Sequence, residues 1–196
     1  RESLSERLRR GIDGANEAVG SALVADFAAL KGVDEVGGVL GSPTQAYRAM
    51  REIAEAIHPA EIRFAVVWDD IDIGRDADEV AKMDGPAFHE ADSLLAALGE
   101  TGRYVAVAIR GAAEWLVSLV RNQMDLLFLW KRGWTADQAE VVRRYRALGS
   151  MAPVADERDV SVQAVSQMLA RAEAERIMAV EADLEAALEG AWGDLP

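Results

Sequence analysis

Carboxylates gather where two parts of the chain turn. Asp34 and Glu35 lie between two short apolar runs, and Asp69, Asp70 and Asp72 follow the apolar run from Arg63 to Trp68. Carboxylates from a hairpin and from a neighbouring strand end can together hold Mg²⁺, because this hard ion takes oxygen ligands. Asp34, Asp69 and Asp70 are placed for that, and Mg²⁺ is the one cofactor they suggest. A chain of net charge −13 also puts aspartates in loops for solvation alone. His58 and His89 are the only histidines. His58 precedes Pro59 at an expected helix end and suits the negative end of that helix dipole. His89 lies one turn into the helix opened by Asp84, Gly85 and Pro86, where it can shuttle a proton or make a structural hydrogen bond. No Ser-His-Asp arrangement, glycine-rich phosphate loop or zinc spacing is present, so no residue is assigned as catalytic. The absence of Cys removes thiolate chemistry and disulfides.

A second group carries a different chemistry. Short helices over about Ala152–Arg158 and Val162–Arg171, with Ser161 capping the second, fit a helix-turn-helix within about 134–173. Val154, Ala155, Val160, Val165 and Leu169 then point inward. Val162, Gln163, Ser166 and Gln167 face outward, and Gln and Ser can read base edges in a major groove. Arg143, Arg144, Arg146, Arg158 and Arg171 can meet flanking phosphates. The bland alternative is a helical bundle used for oligomerisation or regulation.

The elements that position these residues follow from periodicity. Leu4, Leu8, Ile12, Ala15 and Val19 make one helical stripe, with Arg7, Arg9 and Arg10 off it in solvent. The runs Leu23–Leu30 and Glu35–Leu40 read as a hairpin. Ser42, Pro43 and Gln45 read as a cap, first-turn proline and capping box for a helix to about Ile57. Arg63–Trp68 reads as a strand buried on both faces, continuing toward Ile73. A helix through Leu98 ended by Gly99, and a strand from Arg103 to Ile109, complete an α+β arrangement of a sheet covered by helices. Beyond Gly111 only helices are expected. The longest spans about Ala112–Arg132, with Trp115, Leu119, Met124, Leu127 and Trp130 as its candidate buried face.

Composition bounds the function. Of 196 residues, 51% are hydrophobic and 28% charged, enough to bury a core. With 21 basic against 34 acidic residues, general polyanion binding is disfavoured. Arg outnumbers Lys, which occurs only at Lys31, Lys82 and Lys131. A salt-rich cytosol and a GC-rich genome both produce that bias. No apolar run reaches the ~18 residues of a membrane span. No signal peptide is expected from the first ten residues, which hold four arginines and no apolar stretch. A cytoplasmic location is expected.

The order of motifs resembles the SatD family of prokaryotic proteins. The landmarks are Val33-Asp34-Glu35-Val36-Gly37-Gly38, Ile62-Arg63-Phe64-Ala65-Val66, Met83-Asp84-Gly85-Pro86-Ala87-Phe88-His89, and Trp134-Thr135 opening the C-terminal segment. The similarity runs from about Arg1 to Ala172. The first half is also distantly similar to class III nucleotide cyclase domains, in which one metal-binding Asp sits on a first strand and one in the hairpin. The resemblance implies that Asp34 is the hairpin position and that the first strand lies before Arg1. Val33 replaces the family's Gly, and Asp92 replaces its Arg in the helix after Asp84-Gly85-Pro86. The resemblance thus implies a cyclase-like, ferredoxin-like sheet domain over 1–110 and a helical region over 111–196. The reading is a DNA-binding regulator, acting as a homodimer without membrane contact. The alternatives are a nucleotide- or Mg-binding enzyme and an oligomerisation scaffold.

Overall fold

The computed structural model describes residues 2–30 and 35–193, so the Asp34 position lies outside the described residues. Helix α1 (Leu4–Val19) starts at a capping box: the Ser3 hydroxyl accepts from the Glu6 amide, and the Glu6 carboxylate accepts from the Ser3 amide. Its stripe of Leu8, Ile12, Ala15 and Val19 packs on Ala49, Ile53 and Ile57 of α2 (Ala46–Ile57). The two helices approach so closely at Gly11 that a Cβ there would lie 3.0 Å from the Ala56 Cβ and 3.1 Å from the Ile53 Cα. Arg7, expected in solvent, instead donates to the Ile57 and His58 carbonyls at 2.9 and 2.7 Å. Those carbonyls at the end of α2 have no intrahelical donor, which gives Arg7 its partners.

Strands β1 (Leu23–Ala29) and β2 (Val36–Leu40) pair antiparallel, as the hairpin pattern requires. The entry to α2 differs from expectation. Ser42 caps through its hydroxyl to the Thr44 amide, but Pro43–Gln45 winds as a 3₁₀ turn and Gln45 completes no capping box. Strands β3 (Phe64–Trp68) and β4 (Val105–Ile109) pair in parallel, from Phe64 beside Val105 to Trp68 beside Ile109. Parallel partners need a crossover, and α3 (Pro86–Thr101) supplies it. That helix passes Gly99 and stops at Gly102, whose φ of +69° is the left-handed conformation that ends helices.

β3 is half-buried along its whole length rather than buried on both faces, and it stops at Trp68; Ile73 makes only an isolated bridge to Asp84. The reason is its free edge. Among the described residues β3 pairs only with β4 and β2 only with β1, and both strands line one groove of about 1180 Å³.

Five helices follow: α4 (Glu114–Arg132), α5 (Ala136–Leu148), α6 (Met151–Arg158), α7 (Val162–Arg171) and α8 (Ala174–Trp192). The fold is α+β, and no helix among the described residues is long and apolar enough to cross a membrane. The main core runs across residues 110 and 111. Tyr47 and Met50 of α2 and Val105 and Val107 of β4 share it with Val142, Val154, Val165, Leu184 and Trp192. On α4, Met124 and Leu127 are buried as expected, together with Val120, Phe128 and Lys131. Trp115, Leu119 and Trp130 are instead 67%, 58% and 53% exposed. The helix has two apolar faces, and the one at positions 120, 124, 127 and 131 meets β4 and α8.

A buried charge cluster joins α2 to the helical region. Lys131 Nζ lies 2.8 Å from Glu55 and also contacts Glu181. Arg146 reaches Glu181 at 2.8 Å and Glu55 at 3.2 Å, and the Tyr47 hydroxyl donates to Glu181 at 2.8 Å. Two acids thus meet two bases, which compensates charges that would otherwise be costly to bury. Burial pushes the Glu55 carboxyl up, but Lys131 and Arg146 outweigh it and bring it from 4.5 down to about 2. Burial, and then the Glu181 charge, push the Tyr47 hydroxyl well above its ordinary value, so it remains a donor.

A carboxyl depressed by folding contributes stability above its unfolded pKa and loses it as pH falls through the folded one. Chemical denaturation should therefore show stability dropping between pH 4.5 and about 2. Glu55→Gln should cost about 3–5 kcal/mol at neutral pH, while flattening that drop. An unchanged acid profile in the variant would contradict the assignment.

Candidate functional site

The segment of about 134–173, expected to hold a helix-turn-helix, folds as the three helices α5, α6 and α7. Thr135 and Gln138 cap α5 reciprocally, and Gly149 ends it with φ +71°. Asp159 ends α6 in the left-handed conformation at φ +51°, where a glycine is common. Asp tolerates this conformation better than most residues. The Ser161 hydroxyl accepts from the Ala164 amide and opens α7. Val154, Ala155, Val165 and Leu169 are buried between the helices, whereas Val160, expected inside, is 39% exposed at the turn. Val162, Gln163, Ser166 and Gln167 all lie on the exposed face of α7.

The surrounding arginines differ from one another. Arg146 is committed to the buried cluster and is not available to a phosphate, because Glu55 and Glu181 hold it. Arg143 and Arg144 both bind Glu140, at 2.7 and 2.9 Å, and Arg144 also reaches Glu157 at 3.3 Å. Partial burial pushes the Glu140 carboxyl up, but these two guanidinium groups hold it below its ordinary value. Arg158 pairs with Asp137. Arg171, at the end of α7, is exposed.

The structure brings Asp69 and Asp70 together at the end of β3, and Arg110 grips both, at 2.8 Å from Asp69. The Asp70 amide and then the Arg110 guanidinium hold Asp69 below its usual range. Arg110 follows β4 as Asp69 follows β3, so the parallel register that pairs Trp68 with Ile109 sets them side by side. That alignment was the available signal for Arg110. No group of three or more His, Asp or Glu able to hold a metal occurs among the described residues. Asp69 and Asp70 are both bound to the Arg110 guanidinium, and the third expected ligand, Asp34, lies outside the described residues.

The Asp84-Gly85-Pro86 turn holds the loop after β3. Asp84 accepts from the Asp72 and Ile73 amides and donates to the Ile73 carbonyl, and the Ala87 amide reaches Asp70. Gly85 has φ +149° and ψ −171°, and a Cβ there would lie 2.7 Å from the Asp72 nitrogen. His89 makes an exposed contact to Asp84 at 3.2 Å, and His58 bonds the Trp134 carbonyl through Nε2 at 2.9 Å. The turn and both histidines thus make structural contacts here.

No protein-family model, curated protein or solved structure matches this chain.

Two glycines of α3 should respond oppositely to alanine. Gly85→Ala forces a side chain into a glycine-only conformation and should cost about 1–3 kcal/mol. A Cβ at Gly99 meets nothing within 4 Å, and Gly99→Ala should stabilise by about 0.5–1 kcal/mol through helix propensity. Urea melts of the two variants check the pair; a neutral Gly85→Ala would contradict the clamp.

Proposed function

We propose that this chain is a DNA-binding regulatory protein that reads duplex DNA with α7 and works as a homodimer. Residues 1–110 serve in this reading as a cyclase-like sensor or assembly unit. The observation that carries it is the outward face of α7. Val162, Gln163, Ser166 and Gln167 are exposed and uncharged, and Val165 and Leu169 anchor the helix beneath them. Gln offers the paired donor and acceptor that match adenine, Ser bonds either kind of edge, and Val162 presents methyl groups to thymine. The SatD-like order of landmarks supports the same reading.

Arg171 supplies a cation at the end of the helix. Arg143, Arg144 and Arg158 contribute only by exchanging Glu140, Glu157 and Asp137 for phosphates. The acidic body thus limits non-specific affinity and leaves base contacts to decide where the protein sits. A dimer presents two such helices to paired half-sites. The groove between β2 and β3 has a mainly apolar lining, which suits an apolar effector. The cytoplasm is the compartment such a reader needs.

Fluorescence anisotropy with genomic duplex fragments across salt tests the proposal. Binding is expected at low salt, with a log–log slope no steeper than about −4 per protomer because four arginines can reach phosphates. Gln163→Ala and Gln167→Ala should each weaken a preferred duplex by about 1–3 kcal/mol and leave random duplex unchanged. No binding to any fragment at low salt contradicts the reading. Heat from Mg²⁺ and a nucleotide, lost in Asp70→Asn, would favour the enzyme alternative instead.

A further inference from the structure

The side of α4 that the core does not use carries a heptad seam. Trp115, Leu119, Asn122, Leu126 and Leu129 follow one another at spacings of four, three, four and three, with Trp130 beside the last. That is the spacing of a and d positions in a coiled coil. The apolar members are 67%, 58%, 62%, 51% and 53% exposed for Trp115, Leu119, Leu126, Leu129 and Trp130. The seam is nearly symmetric about Asn122, with Trp115 seven residues before it and Leu129 seven after.

We propose that a second copy of this chain covers this face, the two α4 helices crossing antiparallel with the twofold axis at Asn122. Leu119 then meets Leu126 of the second copy, Trp115 meets Leu129 and Trp130, and the two Asn122 side chains meet near the axis. Asn122 Oδ1 accepts from Arg103 at 2.9 Å within its own chain. This arrangement makes one patch complementary to itself, as a closed dimer requires.

Three observations name the occupant. The five apolar residues expose roughly 600–700 Å² per copy, judged from the areas that aromatic and large aliphatic side chains present. Burying both copies comes to about 1,300 Å², inside the range of stable specific interfaces. The chain's 10672 Å² of accessible surface also exceeds the roughly 9,000 Å² usual for a monomer of its mass. The charge pattern fits antiparallel pairing as well. Glu114 opens α4 and Arg132, which pairs with Glu61 at 2.7 Å within its own chain, closes it, so antiparallel pairing sets the opposite ends of the two helix dipoles side by side. The inference gives the homodimer of the proposed function its surface, but it stands on α4 and does not require that α7 bind DNA.

Sedimentation velocity without DNA is the first measurement. The wild type should sediment at twice the 21.2 kDa of the chain. Leu119→Glu and Leu126→Glu, both on the surface, should sediment as monomers with unchanged circular dichroism. The chain has no other Cys, so mild oxidation reads the geometry. Asn122→Cys should cross-link to high yield. Trp115→Cys should not, because antiparallel pairing separates its two copies by about 21 Å along the axis. A wild type that stays monomeric, or that stays monomeric and floats with phospholipid vesicles, overturns the proposal. So does a dimer that survives Leu119→Glu, or one that cross-links through Trp115→Cys. Loss of DNA binding with pairing intact counts only against the α7 reading.

Discussion

The structure depends on four charges kept out of water. Glu55 of α2 sits with Glu181 of α8, Lys131 of α4 and Arg146 of α5, and each of the four belongs to a different helix. An isolated ion in such a place is costly, so the cluster is stable only when all four elements are docked. Tyr47 donates into it, and Arg51 binds Glu185 at 2.8 Å beside it. This cluster couples the sheet-bearing half to the helical half. The buried face of α4 follows from the same constraint, because the helix must aim Lys131 inward.

That choice leaves two surfaces without partners among the described residues. One is the opposite face of α4. The other is the groove where β2 and β3 turn their unpaired edges. Two-stranded sheets are marginal by themselves. Here each is held by helices: α1 and the 3₁₀ turn at Val80–Lys82 against the hairpin, α3 and α4 against β3 and β4. The Asp69–Arg110–Asp70 grip and the Gly85 turn brace the loop at the mouth of the groove.

Several signals carried by a single element were legible in the sequence. The Thr135–Gln138 capping box, the Ser161 cap and the inward set of Val154, Ala155, Val165 and Leu169 follow from spacing alone. What depends on a distant partner was not legible. Trp115 and Trp130 read as core because a hydrophobic stripe does not say which of two faces meets the rest of the fold. Arg146 read as a phosphate contact because its acids lie 91 and 35 residues away. Gly99 read as a helix end, although the chain carries a second glycine at Gly102 whose left-handed conformation does the stopping. In the candidate site, exposure of Gln163 and Gln167 followed from local pattern, whereas the acids holding Arg143, Arg144 and Arg158 emerge only in three dimensions.

Native-state hydrogen exchange tests the coupling most directly. Amides in the middle of α2, α5 and α8 should exchange through one global opening, with equal free energies that fall together in Lys131→Met. If α5 and α8 open at their own free energy and keep it in that variant, the two halves are not held as one unit by the buried charges.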